Sequence, residues 1–174
     1  GEKSREELSR LTVNDIRVLQ ARGATSIVSA CNSVSASLAI SLFDALGLAQ
    51  QNLIEMVGPT VSYFRDFKKP ILLAATPATV ASELYQNAFQ MLGIEIDTVA
   101  IPKLAGAIEF GISAKDQELL IAAAFAAHDM KKYGAIILAC THYPLALTSF
   151  REVLGEVPFF DPAEAVAERV KRQL

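Results

Sequence analysis

The chain has two cysteines and two histidines, and one of each falls in the stretch "AIILACTHYPLAL" (135–147). A thiol two positions from an imidazole is compatible with metal ligation, with a reactive nucleophile, or with ordinary filling at a strand end. The second cysteine stretch, "SIVSACNSVSASLAI" (26–40), repeats the local pattern. In both, an apolar run leads into Ala-Cys, two polar residues follow, and a helical pattern begins. Cys140 and His142 have no second ligand pair, so no metal is expected. Two cysteines far apart in the chain also match no zinc spacing and no disulfide-rich scaffold.

Position narrows the remaining choices. Ligands of open α/β sheets bind beyond the carboxyl ends of the strands, where both cysteines fall. Each also precedes a helix, whose first N–H groups and dipole favour a thiolate. Redox thiol pairs usually sit close together, as in C-x-x-C. Two thiols from matching strand ends suit a symmetric task instead, the racemisation of an amino acid without a cofactor. One thiolate removes the α-proton from one face and the opposing thiol returns a proton to the other, with roles exchanged in reverse. Taken singly, a cysteine at a strand end is a small buried hydrophobe, and His142 is a partly buried structural histidine. His128, in "AAHDMKK", is expected at the surface.

The elements that must position these groups alternate. Helical periodicity covers 5–22, with Ser4 and Glu7 in a capping-box pattern. A short strand is expected at 25–30, a helix at 32–47 ending at Gly47, and another helix at about 53–67. Then come a strand at 70–75, a helix at 76–93, a strand at 94–101 and a short helix near 103–110. A long helix at 115–132, a strand at 135–139, a helix at 144–155, a short strand at 158–160 and a helix at 163–173 complete the chain. The alternation predicts an α/β fold with parallel sheets flanked by helices, its strands in one sheet or in two small ones.

Composition excludes several functions. The length of 174 residues suits one domain or two small lobes, and 52% hydrophobic with 20% charged residues suits a globular chain. A formal charge of −3, with Lys and Arg spread along the sequence, provides no basic face for nucleic acid. No apolar run is long enough to span a bilayer, and no secretory signal opens the chain, so a cytoplasmic protein with no membrane partner is expected. Neither G-x-G-x-x-G nor a P-loop is present, so nucleotide binding is not expected. The start, "GEKSREEL", has no Met and reads as a processed end or a piece of something longer.

The motifs "ACNSVSA" (30–36) and "ACTHYPL" (139–145) resemble the two cysteine signatures of the glutamate racemases, in the aspartate/glutamate racemase superfamily. "ATPATVASELY" (75–85), "IPKLAGAIEFG" (101–111) and "DPAEAVAERV" (161–170) are similar to family segments in the same order, and "GEKS" is similar to the residues just after the family's Pro-Tyr-Gly loop. The resemblance implies cofactor-independent interconversion of L- and D-glutamate, supplying peptidoglycan synthesis. It implies two pseudo-symmetric lobes, residues 1–52 with 161–174 and residues 53–160, with the active site at their interface. By position, Cys31 and Cys140 become the acid/base pair, and Glu109 works with His142. Asn32, Ser33, Thr141 and His142 hold the substrate's polar groups or tune the thiols. Thr76 and Thr79 bind a carboxylate at their helix start, and Gly1 ends the substrate loop. A homodimer is implied too. Without the resemblance, Thr76, Thr79 and Asn32 read equally as helix caps, and Glu109 as a solvated surface acid.

The family's first strand, its Asp-Ser loop and the Tyr of Pro-Tyr-Gly have no counterpart in this sequence, and Ser33 stands where the family usually has Thr. The chain therefore resembles the larger C-terminal part of a glutamate racemase, and little turnover is expected from it alone. Two other readings stay open: a non-catalytic module that binds glutamate or pairs with a subunit, and a racemase acting on aspartate or another acidic amino acid.

Overall fold

A computed structural model describes residues 3–35 and 52–173. Helix α1 (Arg5–Ala21) starts as the sequence predicts, with Glu7 N–H donating to the Ser4 hydroxyl at 3.1 Å. The reciprocal half of the capping box is absent, because the Glu7 carboxylate accepts from Lys3 instead. Strand β1 (Ile27–Val28) runs towards Cys31, and α2 (Asn32–Ser35) begins at the next residue. The helix expected to end at Gly47 lies beyond residue 35 outside the described residues.

Residues 53–67, expected as one helix, divide. Leu53–Ile54 form β2, parallel to β1, and the helix is shortened to α3 (Val57–Tyr63). Glu55 is the reason for the break. Its carboxylate accepts from the N–H groups of Val57 and Gly58 and so caps α3 two residues after the strand. Burial raises the Glu55 carboxyl above its ordinary range.

The larger sheet has the order β4-β3-β5-β6, all parallel, from β3 (Ile71–Ala75), β4 (Ile96–Ala100), β5 (Ala135–Ala139) and β6 (Phe159–Phe160). Its two inner strands, "ILLAA" and "AIILA", are buried along their whole length, as strands covered on both faces must be. Side chains alternate between two cores. Leu72, Ala74, Ile136 and Leu138 face Ile121, Phe125 and Phe150, and Ile71, Leu73 and Ile137 face Val61, Phe64 and Phe89. The six described strands thus form two sheets within an α/β fold.

Three helical predictions change in detail. The helix expected over 76–93 is two, α4 (Pro77–Ala81) and α5 (Leu84–Met91), parted at Glu83 with φ +57°. The Ser82 hydroxyl donates to the Thr79 carbonyl at 2.7 Å, an alternative to helical bonding that this residue type offers. After α6 (Leu104–Glu109), α7 (Ala114–Phe125) stops short of residue 132, which ends a 3₁₀ turn capped by Asp129. A second 3₁₀ turn, Tyr143–Ala146, precedes α8 (Leu147–Leu154), and α9 (Pro162–Gln173) closes the chain. His128, expected at the surface, is half-buried with its ring 6.2 Å from that of Phe125.

Candidate active site

The register of the larger sheet sets the site. Ala75 pairs with Ala100 on one side and Ala139 on the other, so the three strands end level. The next residues, Thr76, Ile101 and Cys140, therefore leave the sheet side by side at its carboxyl edge. Cys31 lies just beyond β1 of the smaller sheet, and its carbonyl accepts from the N–H and the hydroxyl of Ser35 in the first turn of α2.

Cys140 is 6% exposed, whereas Cys31 is exposed. Burial pushes the Cys140 thiol above the usual thiol range, and the charge of Cys31 pushes it the same way. The backbone N–H groups of His142 and Tyr143 act against both, favouring the thiolate. At neutral pH Cys140 accordingly keeps its proton. Iodoacetamide at pH 7.5 is expected to modify Cys31 before Cys140, with labelling of Cys140 rising towards alkaline pH as its thiolate forms. Peptide mass spectrometry over a pH series checks the order, and equal labelling at pH 7.5 would contradict it.

His142 and Glu109 stand behind Cys140. His142 Nδ1 lies 4.0 Å from Cys140 Sγ, and His142 Nε2 lies 2.8 Å from Glu109 Oε2. A carboxylate offers only acceptors, so Nε2 carries the shared proton and Nδ1 is the ring nitrogen that faces the thiol. Glu109 is largely exposed, as its sequence suggests, yet it orients the imidazole from the end of α6.

Three hydroxyls meet beside it. Ser33 Oγ is 2.8 Å from Thr76 Oγ1 and 3.1 Å from Thr79 Oγ1, and the two threonine oxygens are 3.1 Å apart. All three residues are buried. Thr76 is also the N-cap of α4, accepting from Thr79 N–H at 3.3 Å, so capping and clustering are properties of the same residue. Asn32 is buried and accepts from Tyr85 through Oδ1 at 2.6 Å. Thr141 is exposed next to Cys140, and Gly1 lies outside the described residues.

Two tyrosines escape sequence reasoning. Tyr143, in "CTHYP", is fully buried, and its hydroxyl lies 3.2 Å from the carbonyls of both Ala75 and Ile101, tying the turn after Cys140 to the ends of β3 and β4. Tyr85, the last residue of "ATPATVASELY", holds Asn32 from α5. Only an unusual density of buried polar tips among apolar neighbours could have marked them. Among the described residues no cluster of His, Cys, Asp and Glu could hold a metal ion, and no helix is long and apolar enough to cross a membrane.

Comparison with known proteins places the chain by family and fold. The profile of the family described as Asp/Glu/Hydantoin racemase matches residues 2–170. A glutamate racemase of Lactobacillus helveticus is 32% identical over 176 residues, covering 97% of this chain and 64% of its own length. Among solved structures, a glutamate racemase of Bacillus anthracis superposes with a TM-score of 0.84 at 25% identity, over 98% of this chain and 65% of that one. A Francisella tularensis glutamate racemase solved with D-glutamate gives a TM-score of 0.87 at 24% identity, over 98% of this chain and 64% of that one, a likeness of fold. The chain thus spans a little under two thirds of the length of these relatives.

Proposed function

We propose that this chain, which belongs to the Asp/Glu/Hydantoin racemase family, carries the two-thiol proton-transfer centre of a glutamate racemase. The carrying observation is the placement of Cys31 and Cys140, each just past a strand of a different sheet, with Ser33 of the first stretch bonded to Thr76 beside the second. A planar carbanion formed between them is protonated on the face opposite the one that lost its proton, which inverts the α-carbon. Because Cys140 rests as a thiol, it serves as the acid when Cys31 is the base. In the reverse direction His142, backed by Glu109, takes up its proton.

The hydroxyls of Ser33, Thr76 and Thr79, with Asn32, supply neutral hydrogen-bonding groups for substrate carboxylate and amino groups, with Thr141 and Gly1 at the rim. The chain's own groups carry every step, so no cofactor or metal enters the scheme. In this reading the two lobes are residues 1–52 with 161–174 and residues 53–160, the protein is a cytoplasmic homodimer, and its product feeds peptidoglycan. That its relatives include proteins named glutamate racemase supports glutamate as the substrate.

The test is to incubate the full-length gene product separately with L-glutamate, L-aspartate and no substrate, and to follow the enantiomers by chiral chromatography. D-glutamate is expected to accumulate to a 1:1 mixture, with aspartate far slower. D-aspartate formed faster would transfer the proposal to that substrate. Binding of glutamate without inversion would leave a non-catalytic module.

A further inference from the structure

We infer that Tyr85 is a positioning residue that fixes the amide of Asn32 so that its NH₂ group is presented to substrate, an inference that rests on the racemase reading for the identity of that substrate. The phenol sets the direction of the bond. Tyr85 is fully buried and burial raises its pKa, so its oxygen keeps its proton and must place it on an acceptor. Asn32 Oδ1 lies in reach at 2.6 Å and the Met56 carbonyl at 3.5 Å, with the Thr60 hydroxyl beside them. The carbonyl stands at the limit of hydrogen bonding, whereas 2.6 Å is the length of a strong O–H···O bond, which makes Asn32 the partner.

That choice settles the amide. Its oxygen faces Tyr85, so the other end is Nδ2, a buried donor without a partner among the described residues. An unpaired buried donor is costly unless an acceptor arrives, and Asn32 directly follows Cys31. A substrate carboxylate or carbonyl oxygen is such an acceptor. Were the amide free to turn, its oxygen would meet a substrate carboxylate and repel it.

The bond also crosses the molecule. Asn32 stands on α2 beside the first cysteine, and Tyr85 on α5 beneath the larger sheet. Between them Met56 N–H donates to the Ser35 hydroxyl at 3.2 Å, in the same turn as Asn32. Tyr85, Met56 and Ser35 thus join the helix that follows Cys31 to the elements around the larger sheet, which bears Cys140.

The experiment compares Tyr85→Phe with Thr60→Val in the full-length protein. Thr60→Val removes the bond to Met56 and the hydroxyl beside Tyr85 but no atom of the Tyr85–Asn32 bond, so it reports general loosening of the network. Tyr85→Phe is expected to raise KM for glutamate about tenfold, the scale of one hydrogen bond, with kcat changed less than about threefold. Thr60→Val is expected to leave KM within about twofold of wild type even if the thermal midpoint falls. An unchanged KM in Tyr85→Phe, or equal KM shifts in both variants, overturns the inference. Inactivity of the wild type on glutamate refutes the racemase reading instead. In that case the Asn32 side-chain amide ¹⁵N signal reads Tyr85 directly: one sharp, slowly exchanging pair is expected in wild type and an averaged pair in Tyr85→Phe, whereas identical signals in the two proteins overturn it.

Discussion

Under the proposed scheme Cys140→Ser is expected to lower racemisation by about 10²–10⁴-fold in both directions, and Cys31→Ser to do the same. The symmetry comes from the scheme. Each direction uses both thiols, one as base and one as acid, so losing either impairs both. A serine hydroxyl holds its proton far more tightly than a thiol and makes a poor base at neutral pH. The substitution is also nearly isosteric, so the buried neighbours of Cys140 keep their places. Glutamate binding, which the proposal assigns to the hydroxyl cluster and Asn32, should survive in both variants. Initial rates from each enantiomer check the first expectation and titration calorimetry the second. A single-cysteine variant retaining more than about a tenth of the rate would remove that thiol from the chemistry.

Phe150→Ala destabilises the protein by about 3–5 kcal/mol, a large share of a domain's usual stability. Phe150 on α8 has no exposed surface, and its ring lies 5.7 Å from Tyr143, 6.1 Å from Phe159 and 6.4 Å from Phe125. Truncation leaves a cavity directly under Tyr143, whose hydroxyl joins the strand ends at the site. The ring of Phe110, by contrast, is 88% exposed, so Phe110→Ala should change stability by less than about 0.5 kcal/mol. Urea unfolding of the two variants measures the contrast as a shift in midpoint at constant slope. Similar midpoints would mean that the core around the larger sheet is not packed as described.

The sequence carries more of the site than of its support. The paired Ala-Cys stretches are legible because strand ends and helix starts have local signatures, and the sheet register then puts Thr76 beside Cys140. The inner strands "ILLAA" and "AIILA" are legible for the same reason, as apolar runs bounded by turn residues. A two-residue strand such as Leu53–Ile54 has no period to detect, and only the Glu55 cap separates it from α3. The break at Glu83 depends on which acceptor the Ser82 hydroxyl takes, which propensity does not specify. The Tyr85–Asn32 bond joins residues 53 positions apart, and nothing local to either residue announces the other. Glu109 shows both limits, a surface acid by composition whose bond to His142 emerges only when α6 packs against the turn after β5.

The central claim, that two different thiols handle the proton, is tested most directly by racemising protiated L-glutamate in deuterium oxide and following both enantiomers by ¹H NMR from the first turnovers. If one thiol removes the proton and the other, equilibrated with solvent, delivers its replacement, the first D-glutamate formed carries deuterium at the α-carbon while the remaining L-glutamate keeps its proton. Early D-glutamate that retains the substrate proton would mean that a single base carries it from face to face, and would contradict the assignment of Cys31 and Cys140 to opposite faces.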